Sequence, residues 1–263
     1  MSAPGPDGVI RGVLFDLGST LIRFEADWAE VAGEARRALA DHLVRAGLAL
    51  DGEAFVEAFQ REMEAYYAER ETEFIEFTTA FVLRQVLAAH GHPAPSDDQV
   101  ARAVKTLYSV SEAHWVPMPG VYPMLDQLQR EGYRLGILSN AGDESNVQRL
   151  IDQARLRAYF DPIVISAAVG LRKPNPALFK VVLEGWGLRP EQAVMIGDTL
   201  GADILGAQYV GMHNIWLTAD ADTSANRAHA DTIRPQAVAD RLDELPDLIR
   251  RLPSIAAETA RDA

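Results

Sequence analysis

Short apolar runs that alternate with helix-period stretches constrain this chain more than any other feature. Five runs read as buried strands: VIRGVLF at 9–15, YRLGIL at 133–138, PIVIS at 162–166, AVMIG at 193–197 and NIWLT at 214–218. Helical stretches are expected at 122–129, 144–154, 176–185 and 202–209, so strand and helix take turns through the second half of the chain. Such alternation implies right-handed crossovers and a parallel sheet covered on both faces. The first run stands apart. From 27 to 114 no strand pattern appears, and Trp28, Val31, Ala35, Leu39 and Leu43 recur at spacings of three and four, one apolar helix face. Further helices are expected at 54–67, 78–89 and 97–109. Gly91-His92-Pro93 and Pro95-Ser96 separate the last two, with Ser96 as the N-cap. The expected architecture is an α/β core interrupted after its first strand by an all-helical insertion. NIWLT is the last clear strand, and the Ala-rich tail beyond Pro253 is expected to fray.

Composition bounds the function. A chain of 263 residues with 48% hydrophobic content can build a substantial core. It has no cysteine, which excludes disulfides, thiolate nucleophiles and cysteine-ligated zinc. Asp+Glu 38 against Lys+Arg 25 leaves a formal charge of -13, which argues against nucleic acid as a partner. No run approaches the ~18 apolar residues of a spanning helix, so no membrane partner is expected. The opening MSAPGPDGVIRG lacks the apolar core of a secretory signal. A cytoplasmic monomer or homodimer is the expectation.

The chemistry falls at strand ends, where open parallel sheets bind ligands. Asp16 follows the first run, Ser139-Asn140 the second, the Lys173 loop the third, and Asp198 with Asp203 the fourth. Any one of these is ordinary turn or cap chemistry. Together they offer a nucleophile, a hydroxyl, a cation and paired carboxylates in chain order.

FDLGSTL (15–21), LSN (138–140), GLRKPNPALF (170–179) and IGDTLGADI (196–204) resemble, in order and spacing, the motifs of the haloacid dehalogenase-like hydrolase superfamily. The resemblance runs from about residue 9 to 218, and the helical block is similar to the cap of one major branch. It implies a Rossmann-like core over 1–22 and 116–263, and a helical cap over 23–115 that closes on the substrate. It also implies roles. Asp16 would attack phosphorus to form an aspartyl-phosphate that water hydrolyses. Mg²⁺ would be held by Asp16, the Gly18 carbonyl, Asp198 and Asp203, the last as ligand or through water. Lys173 would neutralise phosphate and nucleophile, while Ser139 and backbone N–H groups near Asn140 would hold phosphate oxygens.

One position departs from the family pattern. Phosphatases of this superfamily place a second Asp two residues after the nucleophile, to protonate the leaving alcohol and then activate water. Here Gly18 occupies that place, and Ser19 follows where Gly is usual. The metal ligand there is a backbone carbonyl, which glycine keeps, so phosphate binding and proton transfer come apart. Three readings follow: a Mg²⁺-dependent phosphatase of a small phosphorylated metabolite, a metal-independent 2-haloacid dehalogenase, and a non-catalytic phospholigand-binding protein. Glu71, Glu73 and His114 are cap candidates for the missing proton role. Trp28, Tyr66, Tyr67, Arg70, Phe74 and Phe77 are candidates for a substrate face, against simple packing. His90 and His92 read as an exposed pair rather than a zinc site.

Overall fold

The protein, a computed structural model, is described over residues 9–259, apart from the side chains of 68–73 and 254–259. Strand β1 (Gly12–Phe15) is buried along its whole length. After a tight turn, β2 (Ile22–Phe24) leads into four helices, α1 (Trp28–Arg45), α2 (Gly52–Glu73), α3 (Thr79–Ala89) and α4 (Asp97–Glu112). Their starts are written in the sequence. Asp27, Asp51 and Thr78 accept first-turn N–H groups, and Ser96 with Gln99 closes a reciprocal capping box. Strand β3 (Trp115–Pro117) then returns to pair antiparallel with β2, giving a two-stranded neck through which both chain crossings of the insertion pass.

The remainder alternates. Helix α5 (Val121–Arg130), strand β4 (Arg134–Ser139), α6 (Glu144–Gln153), β5 (Ile163–Ile165) and the single-turn α7 (Ser166–Val169) come first. Then follow α8 (Pro176–Trp186), β6 (Ala193–Gly197), α9 (Leu205–Val210), β7 (His213–Leu217), α10 (Ser224–His229), β8 (Ala237–Ala239) and α11 (Leu245–Thr259). The six strands of the main sheet stand in the order β5-β4-β1-β6-β7-β8, all parallel.

Strand periodicity divides the core. Val13 and Phe15 join Ile137, Ile196 and Ile215 under α5, α6 and α11, while Leu14, Leu138 and Met195 face α8 and α9. Each fully buried apolar side chain of this size contributes about 1.5–3 kcal/mol. Leu39, Leu43, Phe55, Phe59, Leu83 and Leu87 form a separate cluster among α1–α4. The insertion therefore has its own core and does not borrow the sheet's.

The α/β expectation holds, with local corrections. The first strand begins at Gly12 rather than residue 9, and β8 follows the run read as last. The backbone is helical from Leu245 to Thr259, and the end of the tail expected to fray lies outside the described residues. The stretch expected as helix from 202 opens at Leu200–Ile204 as a π-helical turn before α9. Among the described residues no helix is long and apolar enough to cross a membrane.

Candidate active site

In the sheet order the chain moves outward from β1 through β4 to β5, then returns to β1's other side for β6 and beyond. A crevice opens at the carboxyl ends of β1 and β6, where adjacent connections leave in opposite directions. Asp16 sits there because its N–H donates to Ile196 O at 2.9 Å, continuing the β1–β6 ladder by one bond. The chain then turns tightly, with the N–H groups of Leu21 and Ile22 both donating to Leu17 O at 2.8 and 3.0 Å. Ser19 lies in this turn with φ 56°, the left-handed region that favours glycine.

Lys173 is 3% exposed, and its Nζ donates to Asp16 Oδ1 and to Asp203 Oδ1, both at 2.6 Å. Burial alone would lower the lysine pKa; the carboxylates of Asp16 and Asp203 outweigh it, so the net direction is upward and the ammonium stays charged. Asp203 is delivered by the π-helical turn. Its N–H donates to Thr199 O at 2.8 Å, and its Oδ2 accepts the Thr199 N–H at 2.9 Å. The side chain lies flat over Gly197, where a Cβ would fall 2.3 Å from the carboxyl carbon, so only glycine fits there. Asp198 ends the same strand, 7% exposed.

Asp16, Asp198 and Asp203 each offer a carboxylate oxygen, and these three atoms lie within 4.8 Å of one another. Burial pushes the Asp198 carboxyl well above the usual range, and Asp16 and Asp203 add to the shift. Burial likewise raises Asp203, to about 6, against the opposing pull of Lys173. Three carboxylates beside one ammonium leave the crevice with an excess of negative charge. An oxygen-rich, overcharged donor set of this kind fits a hard divalent cation such as Mg²⁺. Asp203 has one oxygen on Lys173 and the other on Thr199 N–H. Asp198 has only long contacts, Thr20 Oγ1 at 3.5 Å and Thr199 Oγ1 at 3.3 Å.

Ser139 closes β4, 6% exposed, and lines the same cavity, whose volume is about 740 Å³. Asn140 also lines it, but its amide clamps the lysine loop. Oδ1 accepts the Lys173 N–H at 2.8 Å, and Nδ2 donates to Lys173 O at 3.1 Å. The next amide is taken up as well, since Ser166 Oγ accepts the Ala141 N–H at 2.8 Å.

Gly18 lines the cavity opposite Trp115. Of the candidates for a substrate face, Phe74 lines the cavity, Tyr66 is buried, and Trp28 and Tyr67 are exposed. Phe77 stacks on Phe81 with centroids 5.0 Å apart. The His114 ring packs against Phe24 at 5.6 Å and is not part of the cavity wall. Glu71, Glu73 and the Arg70 side chain lie outside the described residues. His90 packs against Phe55, and His92 Nε2 meets Ala49 O, with no shared ligand site among the described residues.

Other supports were not foreseen. Trp216 Nε1 and Asn226 Nδ2 each donate to Asp198 O at 2.8 Å, and Asn226 Oδ1 accepts the Leu200 N–H at 2.8 Å. They fix the loop bearing two of the three carboxylates. The only local sequence signal is the Thr223 cap, whose hydroxyl accepts the Asn226 N–H.

The motif order and the gathering of Asp16, Lys173, Asp198 and Asp203 at the strand ends point to one family of hydrolases. The chain belongs to the haloacid dehalogenase-like hydrolase family, whose sequence model matches residues 10–211. It is 30% identical over 246 residues to a glyceraldehyde 3-phosphate phosphatase of Methanopyrus kandleri, covering 93% of this chain and 99% of that one. Among solved structures it is similar to a 2-haloacid dehalogenase from Pseudomonas syringae pv. tomato (TM-score 0.62, 26% identity, 92% and 99% covered). It shares its fold with a HAD phosphatase from Thermococcus onnurineus (TM-score 0.62, 22% identity, 91% and 98% covered).

Proposed function

We propose that this protein is a Mg²⁺-dependent phosphatase of a small phosphorylated metabolite. The observation that carries the reading is the buried Lys173 ammonium, 2.6 Å from both Asp16 and Asp203, within an overcharged trio of carboxylates. In this reading the helices spanning 23–115 form a cap over a core made of 1–22 and 116–263.

Asp16 directs a carboxylate oxygen at phosphorus. The new O–P bond forms as the ester P–O bond breaks, leaving an aspartyl-phosphate and an alkoxide or alcohol. Water then attacks that phosphorus, returning the Asp16 carboxylate and inorganic phosphate. Lys173 holds Asp16 in place and offsets charge on the transferring group, and the Ser139 hydroxyl donates to a phosphate oxygen. Asp16, the Gly18 carbonyl and Asp198 would hold Mg²⁺, with Asp203 acting directly or through water. When bound, the ion screens the repulsion between carboxylate and phosphate. Gly18 faces the Trp115 indole rather than an acid, so protonation of the leaving oxygen falls to water. Esters with good leaving groups are therefore the better substrates. Similarity to the Methanopyrus kandleri phosphatase over nearly the whole length of both chains supports the reaction class.

The experiment is phosphate release from an aryl phosphate, with Mg²⁺ and with EDTA, by the wild type and Asp16→Asn. Release that needs the metal and disappears in the variant is expected. The absent second Asp and the likeness to a 2-haloacid dehalogenase favour a second reading. Halide release from a 2-haloacid, unaffected by EDTA and without phosphatase activity, would establish it instead. Mg²⁺-dependent phosphate binding without turnover would leave only the phospholigand role.

A further inference from the structure

Glu76 is a buried carboxylate that the chemistry above leaves unused. It lies between α2 and α3, inside the helical insertion, with a side chain only 1% exposed. One of its oxygens accepts the Tyr66 hydroxyl from α2. The other reaches across to the α/β core, where it accepts the Ser166 hydroxyl at 2.7 Å and lies 3.6 Å from Arg172 Nη1. Main chain crosses the same seam. Glu76 N–H donates to Gly170 O at 3.1 Å, Arg172 N–H to Phe74 O at 3.0 Å, and Thr79 N–H to Gly142 O at 2.8 Å.

The core loops gripped in this way carry the reactive groups. Residues 170–172 run directly into Lys173. Residues 140–142 follow Ser139, and Ser166 Oγ accepts the Ala141 N–H at 2.8 Å while donating to Glu76. Asn140 joins the two loops through both of its bonds to Lys173. A carboxylate is costly to bury unless its partners are in place. Two partners of the carboxylate, Ser166 and Arg172, belong to the core, as does the Gly170 carbonyl that accepts the Glu76 N–H, so Glu76 is satisfied only when the insertion is seated on those loops. The loops, in turn, are pinned from above only in that state.

We infer that Glu76 is a positioning residue that couples seating of the helical insertion to alignment of Lys173 and Ser139. It touches no reacting atom. The inference rests on the phosphatase reading for its consequence in turnover, but not for the seam itself.

The test uses the full chain, comparing wild type with Glu76→Gln and, independently, Gly142→Ala. The first keeps size and removes the charge opposite Arg172. The second leaves Glu76 intact and wedges the seam from the core side, since a Cβ at Gly142 would stand 2.7 Å from Thr79 Oγ1. Native-state hydrogen exchange reads the amides of residues 76, 79 and 172 against those of α1 and α4. In Glu76→Gln the seam amides should exchange about tenfold faster or more, the factor carried by one lost charge-assisted contact, and in Gly142→Ala they should also exchange faster, while α1 and α4 stay protected in both. The kcat for an aryl phosphate should fall by a similar factor, with a smaller change in KM. Unchanged seam protection and unchanged kcat in Glu76→Gln overturn the inference. So does exchange that accelerates uniformly while kcat per folded molecule is retained, because that marks a merely structural acid. A wild type that releases no phosphate refutes the phosphatase reading instead, and the seam amides then decide the coupling alone.

Discussion

In the proposed phosphatase, Gly18→Asp tests the proton step for which position 18 offers no acid. A Cβ built at Gly18 would meet Trp115 Cη2 at 3.6 Å and Cζ3 at 3.7 Å, ordinary van der Waals distances with no backbone in the way. The glycine does not occupy the left-handed region either, so the new side chain enters without strain. Its carboxyl group would emerge along the indole, two residues from the Asp16 carboxylate. An apolar wall and a neighbouring anion both favour the protonated form, the one able to donate to a leaving oxygen. A positioned general acid contributes ~10²–10⁴-fold. Crowding by Trp115 places the expected gain at the lower end, about 10²-fold on alkyl phosphates, or about 2.7 kcal/mol of barrier. Aryl phosphates, whose leaving groups depart as phenolates, should gain only a few-fold. The assay is kcat/KM for a matched alkyl and aryl pair at saturating Mg²⁺. An equal gain on both substrates, or none in a folded variant that still binds Mg²⁺, would refute the separation of phosphate binding from proton transfer. Adding Trp115→Leu to Gly18→Asp should enlarge the alkyl gain if the indole is what limits it.

Three further outcomes are expected. Ser19→Gly removes a left-handed non-glycine residue, and after the entropy cost of glycine in the unfolded chain it should stabilise by about 0.5–1 kcal/mol. A thermal melt should move up by ~1–3 °C, and a downward shift would show that φ 56° is not strained. Lys173→Met should abolish turnover. In EDTA it should also cost about 3 kcal/mol of stability, because Asp16 and Asp203 lose their cation; denaturant titration with and without Mg²⁺ checks both this loss and its partial recovery. The metal-free protein should lose stability as pH rises from about 4 to 6. Burial raises the folded Asp203 carboxyl to about 6, above the ordinary aspartate range, so the folded state binds more protons in that window and stability falls with pH. Melting in EDTA across that range measures it, with Asp203→Asn as the control in which the dependence is weakened to the part that Asp198 carries.

The strand-end carboxylates, the lysine loop and the α/β alternation were legible because each depends on local pattern: a buried run followed by a polar residue. The β2–β3 neck was not. Its strands are three residues long and pair across the whole insertion, Ile22 with Pro117 and Phe24 with Trp115, so no window of sequence contains both partners. The π-helical turn is legible only as helix from 202, since what distinguishes it is the wide backbone bond from Leu205 N–H to Leu200 O, five residues back. Asn226 and Trp216 act on Asp198 from other elements, as tertiary contacts do. Glu76 was hidden for a different reason. In the run ETEFIEF it looks like one more charge on a solvated face, and only the arrival of Ser166 and Arg172 makes burial possible.

The charge arrangement also bears on which electrophile the site is built for. An aspartate attacking the carbon of a haloacid needs one carboxylate, and every further buried acid beside it adds repulsion. Here Asp198 and Asp203 are 7% and 1% exposed, and burial holds both carboxyl groups above their ordinary range. Without a divalent cation that arrangement is a standing cost to the fold, and for attack at carbon it returns nothing. For attack at phosphorus the same acids are useful, because a cation held among them offsets the repulsion between Asp16 and an anionic ester. In the proposed phosphatase Gly18 would leave this machinery whole, since its carbonyl would remain available to the metal and only a proton donor would be withheld. On that reading the departure from the family pattern would weigh on the choice of leaving group, and not on whether phosphate is bound.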